Sequence, residues 1–248
     1  MQGQNQQQAY DRGITIFSPD GRLYQVEYAR EAVKRGTASV GVRTADGVVL
    51  VADRSARSPL MEEDSIEKLH NVDDHVGVAS AGHVADARKL VDIARRYAQR
   101  NQLRYDEPVG VESLTKEVTD AIQEYTQTGG ARPFGVALLF AGIEDGEPRL
   151  FETDPSGTPS EWQATAIGNG REQIMTHLED EYSEDLTLGD GIALALSALA
   201  AASEDALDAV NVDVATADAE SGVFRKLDRE EIQDYVEDLD VDAEETDE

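Results

Sequence analysis

The chain has 248 residues, with 22 Lys+Arg against 51 Asp+Glu, a formal net charge of −29 and 40% apolar residues. A chain of this size can bury roughly 70–75% of its unfolded surface in a single core, and its apolar share is sufficient for one. The negative charge excludes nucleic-acid binding and binding to anionic membranes, which require a positive footprint. The absence of cysteine excludes disulfides, thiolate metal sites and cysteine catalysis.

Only five of the basic residues are lysines, at positions 34, 68, 89, 116 and 226, and the acid excess is spread along the whole chain. This pattern favours a protein adapted to a very salty interior, where the Debye length falls to about 3 Å near 1 M and self-repulsion is screened. The start, Met1-Gln2-Gly3-Gln4-Asn5-Gln6-Gln7-Gln8, has no basic or apolar stretch and is not expected to be a signal peptide. The longest apolar run, residues 192–202, is about half a membrane span and contains Ser197. The expectation is a soluble, cytoplasmic protein.

Ser18-Pro19-Asp20-Gly21 is a strong turn signal. The spacing of Leu23, Val26, Ala29/Arg30 and Val33 predicts a helix over 22–35, with Gly36 as its stop. The period then changes to alternation over 37–43. Ala45-Asp46-Gly47 is a hairpin turn, and 48–52 reads as a buried strand. A strand over 75–80 precedes a helix from after Gly82 to about 101, and a second helix spans 111–127. Strands follow at 134–143, 149–153 and 162–167, helices at 171–182 and 188–202, a strand at 211–217 and a short helix at 229–239.

Paired helices alternating with meandering strands, without a βαβ rhythm, indicate two antiparallel sheets packed face to face with helices outside, an α+β class. No internal repeat or linker is visible. Residues 1–9 are expected to be mobile, 10–239 to form one domain, and 240–248 to be a disordered acidic tail.

Other patterns carry less chemistry. The histidines at 70, 75, 83 and 177 lack metal-ligand spacing, and Asp238-x-Asp240-x-Asp242-x-Glu244 lacks the turn glycine and final glutamate of a calcium loop. Gly168-Asn169-Gly170 reads as a tight strand-to-helix turn. No metal or cofactor is expected.

The segment YDRGITIFSPDGRLYQVEYAREAV, residues 10–33, resembles the N-terminal signature of proteasome α-type subunits. The likeness continues through Ser65-Ile66-Glu67-Lys68-Leu69, Gly130-Ala131-Arg132-Pro133-Phe134-Gly135, Thr165-Ala166-Ile167-Gly168 and Asp213-Val214, and is nearest to archaeal members. The resemblance implies the family's four-layer α/β/β/α sandwich, the Ntn-hydrolase fold. It implies a non-catalytic subunit of an outer seven-membered ring, with or without α paralogues, stacked on proteolytic β subunits. This ring would control entry of unfolded substrates and dock a regulatory AAA ATPase.

By the same resemblance, Tyr10, Asp11, Pro19 and Tyr28 match the cluster that holds the axial gate open, with residues 1–9 as its plug. Lys68, Gly36 and Leu23 match a pocket between ring neighbours that receives the carboxylate of the ATPase C-terminus, Lys68 acting as a flexible point charge. For Lys68 the plainer alternative is a surface ion pair with Glu63 or Glu67.

The rival reading is catalysis. Thr37 lies where β-type subunits carry their N-terminal threonine, and Asp53, Lys68 and Asp213 lie near those subunits' polar residues. Against it, a helix precedes Thr37, and Arg171 stands where β-type subunits place a serine. Cleavage before Thr37 would be required to free an amine.

Overall fold

The computed structural model describes residues 17, 21, 23–56, 58, 60–127, 132–203 and 207–246, with side chains through 239. Among the described residues, ten strands form two antiparallel five-stranded sheets. The first sheet contains β1 (Ser39–Arg43), β2 (Gly47–Asp53), β8 (Ala164–Ile167), β9 (Val212–Asp218) and β10 (Phe224–Lys226), in the order β10-β9-β2-β1-β8. The second contains β3 (Leu69–Asp73), β4 (Val76–Gly82), β5 (Val136–Glu144), β6 (Glu147–Thr153) and β7 (Pro159–Glu161), ordered β3-β4-β5-β6-β7.

Each sheet is buried on both faces, which explains the near-continuous apolar runs of β2 and β5. Leu50 of β2 and Leu139 of β5 meet Leu69, Leu150, Ile167 and Phe224 between the sheets. The alternate residues face outward. Val49 and Val51 pack on α4 (Arg171–Glu181) and α5 (Leu188–Ala202) through Ile174, Leu178, Leu196 and Leu199. Leu138 and Phe140 pack on α2 (Val84–Tyr105) and α3 (Val111–Gln127) through Leu90, Val118 and Ile122. The result is the four-layer α/β/β/α sandwich implied by the element order.

Helix α1 (Tyr24–Lys34) belongs to neither outer layer. It contacts β4 and β5, and its buried Val33 joins the cluster between the sheets. Two bonds from Arg30 to Asp154 Oδ2, at 3.1 Å from Nε and 2.7 Å from Nη2, fasten α1 to the turn after β6. Burial alone would raise the Asp154 carboxyl, yet hydrogen bonds from Ser156, Arg30 and Thr158 hold it below the usual carboxylate range. Gly36 ends the helix in a tight place, where a Cβ would collide with the backbone nitrogen of Gly82.

The structure adds three strands that the sequence pattern does not show, β3, β7 and β10. The last helix, α6 (Arg229–Thr246), continues through 240–246, which the sequence reading assigns to a disordered tail; Ala243, Glu244 and Glu245 are good helix formers and extend it. Among the described residues, no helix is long and apolar enough to cross a membrane.

Candidate functional site

The polar centre of the fold lies where α1 gives way to β1. The register pairs Ser39 with Ala52 and with Ile167, and Ala52 with Asp213. The start of β1, the end of β2, the end of β8 and the start of β9 therefore share one end of the sandwich. Residues 37, 53, 68 and 213, far apart in sequence, converge there.

Lys68 immediately precedes β3 and is buried. Its Nζ donates to the carbonyl oxygens of Thr37 at 2.6 Å, Ala38 at 2.6 Å and Asp53 at 3.0 Å, and to Thr37 Oγ1 at 2.8 Å. Four acceptors share three protons. Burial pushes the Lys68 ammonium down to about 7 from its ordinary 10.5, against the upward pull of Asp53 and Asp213. Thr37 Oγ1 in turn donates to the Asp53 carbonyl at 2.7 Å.

Asp213 stands behind this group. Burial raises its carboxyl, while Arg54, Lys226 and Lys68 oppose the shift. Arg54, itself buried, lies with Nε 3.4 Å from Asp213 and donates from Nη2 to the Val210 carbonyl at 2.6 Å. Nothing in its spacing marks Arg54 as a member of the cluster; its place follows from the pairing of β2 with β9.

Lys68 is thus bound to oxygens of Thr37, Ala38 and Asp53 and not to Glu63 or Glu67, which corrects the plainer alternative of a surface ion pair. It is anchored inside the chain, and Glu67 instead lies 3.6 Å from His70. Gly36 and Lys68 do come together, bridged by Thr37. Leu23 stands half-buried just before α1, where its carbonyl accepts from the amides of Val26 and Glu27 at 2.9 and 3.1 Å. Tyr28 is half-exposed on α1. Tyr10, Asp11 and Pro19 lie outside the described residues.

Thr37, Asp53, Lys68 and Asp213 form the constellation that the catalytic rival requires, and the lysine–hydroxyl contact is the right length for activating a nucleophile. A free α-amine, the base that chemistry uses, would require cleavage between Gly36 and Thr37. The Thr37 nitrogen is acylated by Gly36, whose carbonyl accepts from the Asn169 amide at 2.8 Å. Arg171 is committed elsewhere: it grips buried Glu152 with two bonds, of 2.7 and 3.0 Å, while Thr165 donates to the same carboxylate at 3.0 Å. Among the described residues, no group of three or more His, Asp or Glu is placed to hold a metal ion.

A two-sheet sandwich whose N-terminal helix leads into a Thr–Lys–Asp cluster defines a proteasome-type chain, and comparison with known proteins agrees. Residues 33–217 match the proteasome subunit family, and residues 10–32 match the N-terminal signature of its A-type members. The chain is 73% identical to proteasome alpha subunit 2 of Haloarcula marismortui over 245 residues, covering 99% of this chain and 100% of that protein. It is 66% identical to the proteasome alpha subunit of Haloquadratum walsbyi, covering 100% and 99%. It is 68% identical to the proteasome alpha subunit of Halobacterium salinarum, covering 96% and 94%. The chain belongs to the proteasome subunit family, on its α-type side. These relatives come from salt-loving archaea, which agrees with the reading of the acidic composition.

Proposed function

We propose that this chain is a non-catalytic α subunit that forms a seven-membered outer ring on a proteolytic β ring, working in the cytoplasm on unfolded protein in transit. Residues 1–9, with Tyr10, Asp11, Pro19 and Tyr28, gate the axial entrance. The pocket of Lys68, Gly36 and Leu23 receives the C-terminal carboxylate of an AAA ATPase.

The observation that carries the reading is the joint between Lys68 and Thr37. The helix before Thr37 is built into the fold, with Val33 packed between the sheets and Arg30 bound to Asp154, so cleavage before Thr37 would remove a core element. Lys68 holds both the Thr37 carbonyl and its hydroxyl, at the stop of the very helix that leads back to the gate segment. A carboxylate reaching this ammonium would take the place of its longest contact, the Asp53 carbonyl at 3.0 Å, and a charge-assisted bond would replace a neutral one. Binding would favour one arrangement of the α1–β1 junction, a population shift toward the open gate.

The test is ATPase-stimulated degradation by assembled particles. Lys68→Ala should abolish stimulation while the ring, measured by light scattering, survives; stimulation at the wild-type level would refute the pocket. A second reading, an active threonine peptidase, draws on the 2.8 Å Lys68–Thr37 contact. Mass spectrometry distinguishes it, since that reading requires a mature species beginning at Thr37.

A further inference from the structure

The turn between β8 and α4 carries a residue pair with chemistry of its own. Asparagine occurs at positions 5, 71, 101, 169 and 211, and only Asn169 is followed by glycine. The amide nitrogen of a following glycine reaches the asparagine side-chain carbon unhindered, because no Cβ stands in the way.

The fold leaves this approach open. Asn169 is exposed and Gly170 half-buried, and both border two clefts, of about 700 and 450 Å³, through which water reaches them. Among the described residues, neither the Asn169 side-chain amide nor the Gly170 N–H takes part in a hydrogen bond.

The same turn is strapped to the α1–β1 junction. The Asn169 amide donates to the Gly36 carbonyl at 2.8 Å. A Cβ on Gly168 would lie 2.7 Å from the Thr37 carbonyl oxygen and 3.0 Å from that of Gly36, so the two backbones touch. The carbonyls of Thr37 and Ala38 are among those that Lys68 holds. Any lengthening of the chain at 169 therefore falls on the junction.

We infer that Asn169 is a site of spontaneous deamidation, with water as co-reactant, whose isoaspartyl product unties the turn from Gly36. The Gly170 nitrogen, giving up its proton, bonds to Asn169 Cγ; the Cγ–Nδ2 bond breaks and ammonia leaves with that proton. Water then opens the five-membered imide. Opening at Cγ gives aspartate, and opening at the α-carbonyl gives isoaspartate, whose main chain runs through Cβ and Cγ. Both products carry one more negative charge, and the second adds a methylene, about 1.5 Å, to the backbone. That length has no room where Gly168 already touches residues 36 and 37, so the bond from Asn169 to Gly36 yields.

Wild type and Asn169→Gln would be aged in molar potassium chloride at pH 6 and pH 9, then read by peptide mass spectrometry and an isoaspartate-specific carboxyl methyltransferase. Glutamine would have to close a six-membered imide and reacts far more slowly. The peptide bearing Asn169 should gain the mass difference between an amide and an acid and should accept methyl groups, faster at pH 9, where the attacking nitrogen loses its proton more readily. Conversion at Asn169 no faster than at Asn71, Asn101 and Asn211 overturns the site. Trypsin reads the consequence. Cleavage after exposed Arg35 needs local opening of the junction, and it should quicken several-fold in the aged chain but not in aged Asn169→Gln. Asn169→Asp, which carries the charge without the extra methylene, should be cut at the unaged rate. Deamidation that leaves the Arg35 cut unchanged, or Asn169→Asp cut as fast as the aged chain, overturns the untying.

Discussion

Lys68 Nζ lies 2.6 Å from the carbonyl oxygen of Thr37 and 2.8 Å from its hydroxyl, so one buried ammonium clamps the first residue beyond the Gly36 helix stop. This contact joins the element that carries the N-terminal segment to the β2–β3 end of the sandwich. It also places a titratable group inside the core, where protonation and stability are linked.

The sign of that linkage follows from the depressed value. Below pH 7 both folded and unfolded chains hold the lysine proton; between about 7 and 10.5 the unfolded chain holds a proton that the folded chain increasingly lacks. Stability contributed by this group therefore rises with pH across that window, by up to about 1.4 kcal/mol per pH unit. Urea unfolding of wild type and Lys68→Met at pH 7 and pH 9, in the same high salt, isolates it. The wild type should gain on the variant as pH rises; parallel curves would show that Lys68 keeps its proton.

Gly36→Ala should cost about 2–3 kcal/mol, because the new methyl meets the Gly82 nitrogen, with its Cα only 2.9 Å away, and backbone cannot yield as a flexible side chain would. Gly146→Ala is the comparison. Gly146 has φ +83 but open space around it, so only backbone strain of about 1 kcal/mol applies. Denaturation midpoints should rank Gly36→Ala well below Gly146→Ala, and equal midpoints would count against the collision.

The contrast between what sequence shows and what folding adds is visible in particular elements. Helices at 111–127 and 188–202 are legible to the residue because their own periodicity is strong and their ends are marked. The strands without a local signal, β3, β7 and β10, are all at sheet edges. Pro159-Ser160-Glu161 and Phe224-Arg225-Lys226 have no room for alternation and exist because β6 and β9 present hydrogen-bonding partners. The site divides in the same way. Thr37, Gly36 and Lys68 can be singled out by resemblance, but the burial of Lys68 depends on the meeting of residues 37, 53 and 68, a product of sheet register that no local pattern encodes.

Helix α5 offers a test of local encoding. Thr187 Oγ1 accepts from the Asp190 amide at 3.2 Å, and Asp190 Oδ2 accepts from the Thr187 amide at 3.0 Å, a reciprocal capping box. The bond from Thr187 Oγ1 to Asp190 Oδ2, at 2.6 Å, and then that from the Thr187 amide hold the Asp190 carboxyl below its usual range. Thr187→Ala removes one half of the box and should lower stability by about 1 kcal/mol, whereas Thr187→Ser should retain most of it. Thermal melts of the two variants provide the comparison, and a Ser variant as weak as Ala would argue against the hydroxyl as the cause.

The charge of −29 sets a condition on assembly. Seven copies would carry roughly −200, and at low ionic strength that repulsion acts over tens of ångströms. Near 1 M salt the screening length contracts to about 3 Å, and short-range apolar contacts between copies can dominate. Light scattering across a potassium chloride series should therefore show a ring at molar salt that dissociates toward 27.0 kDa chains as salt is removed. If screening is the cause, tetramethylammonium chloride at the same ionic strength should support the ring as well as potassium does. Assembly that requires potassium would point to cations bound at particular carboxylates, and a ring stable in dilute buffer would show that its contacts outweigh the charge unaided.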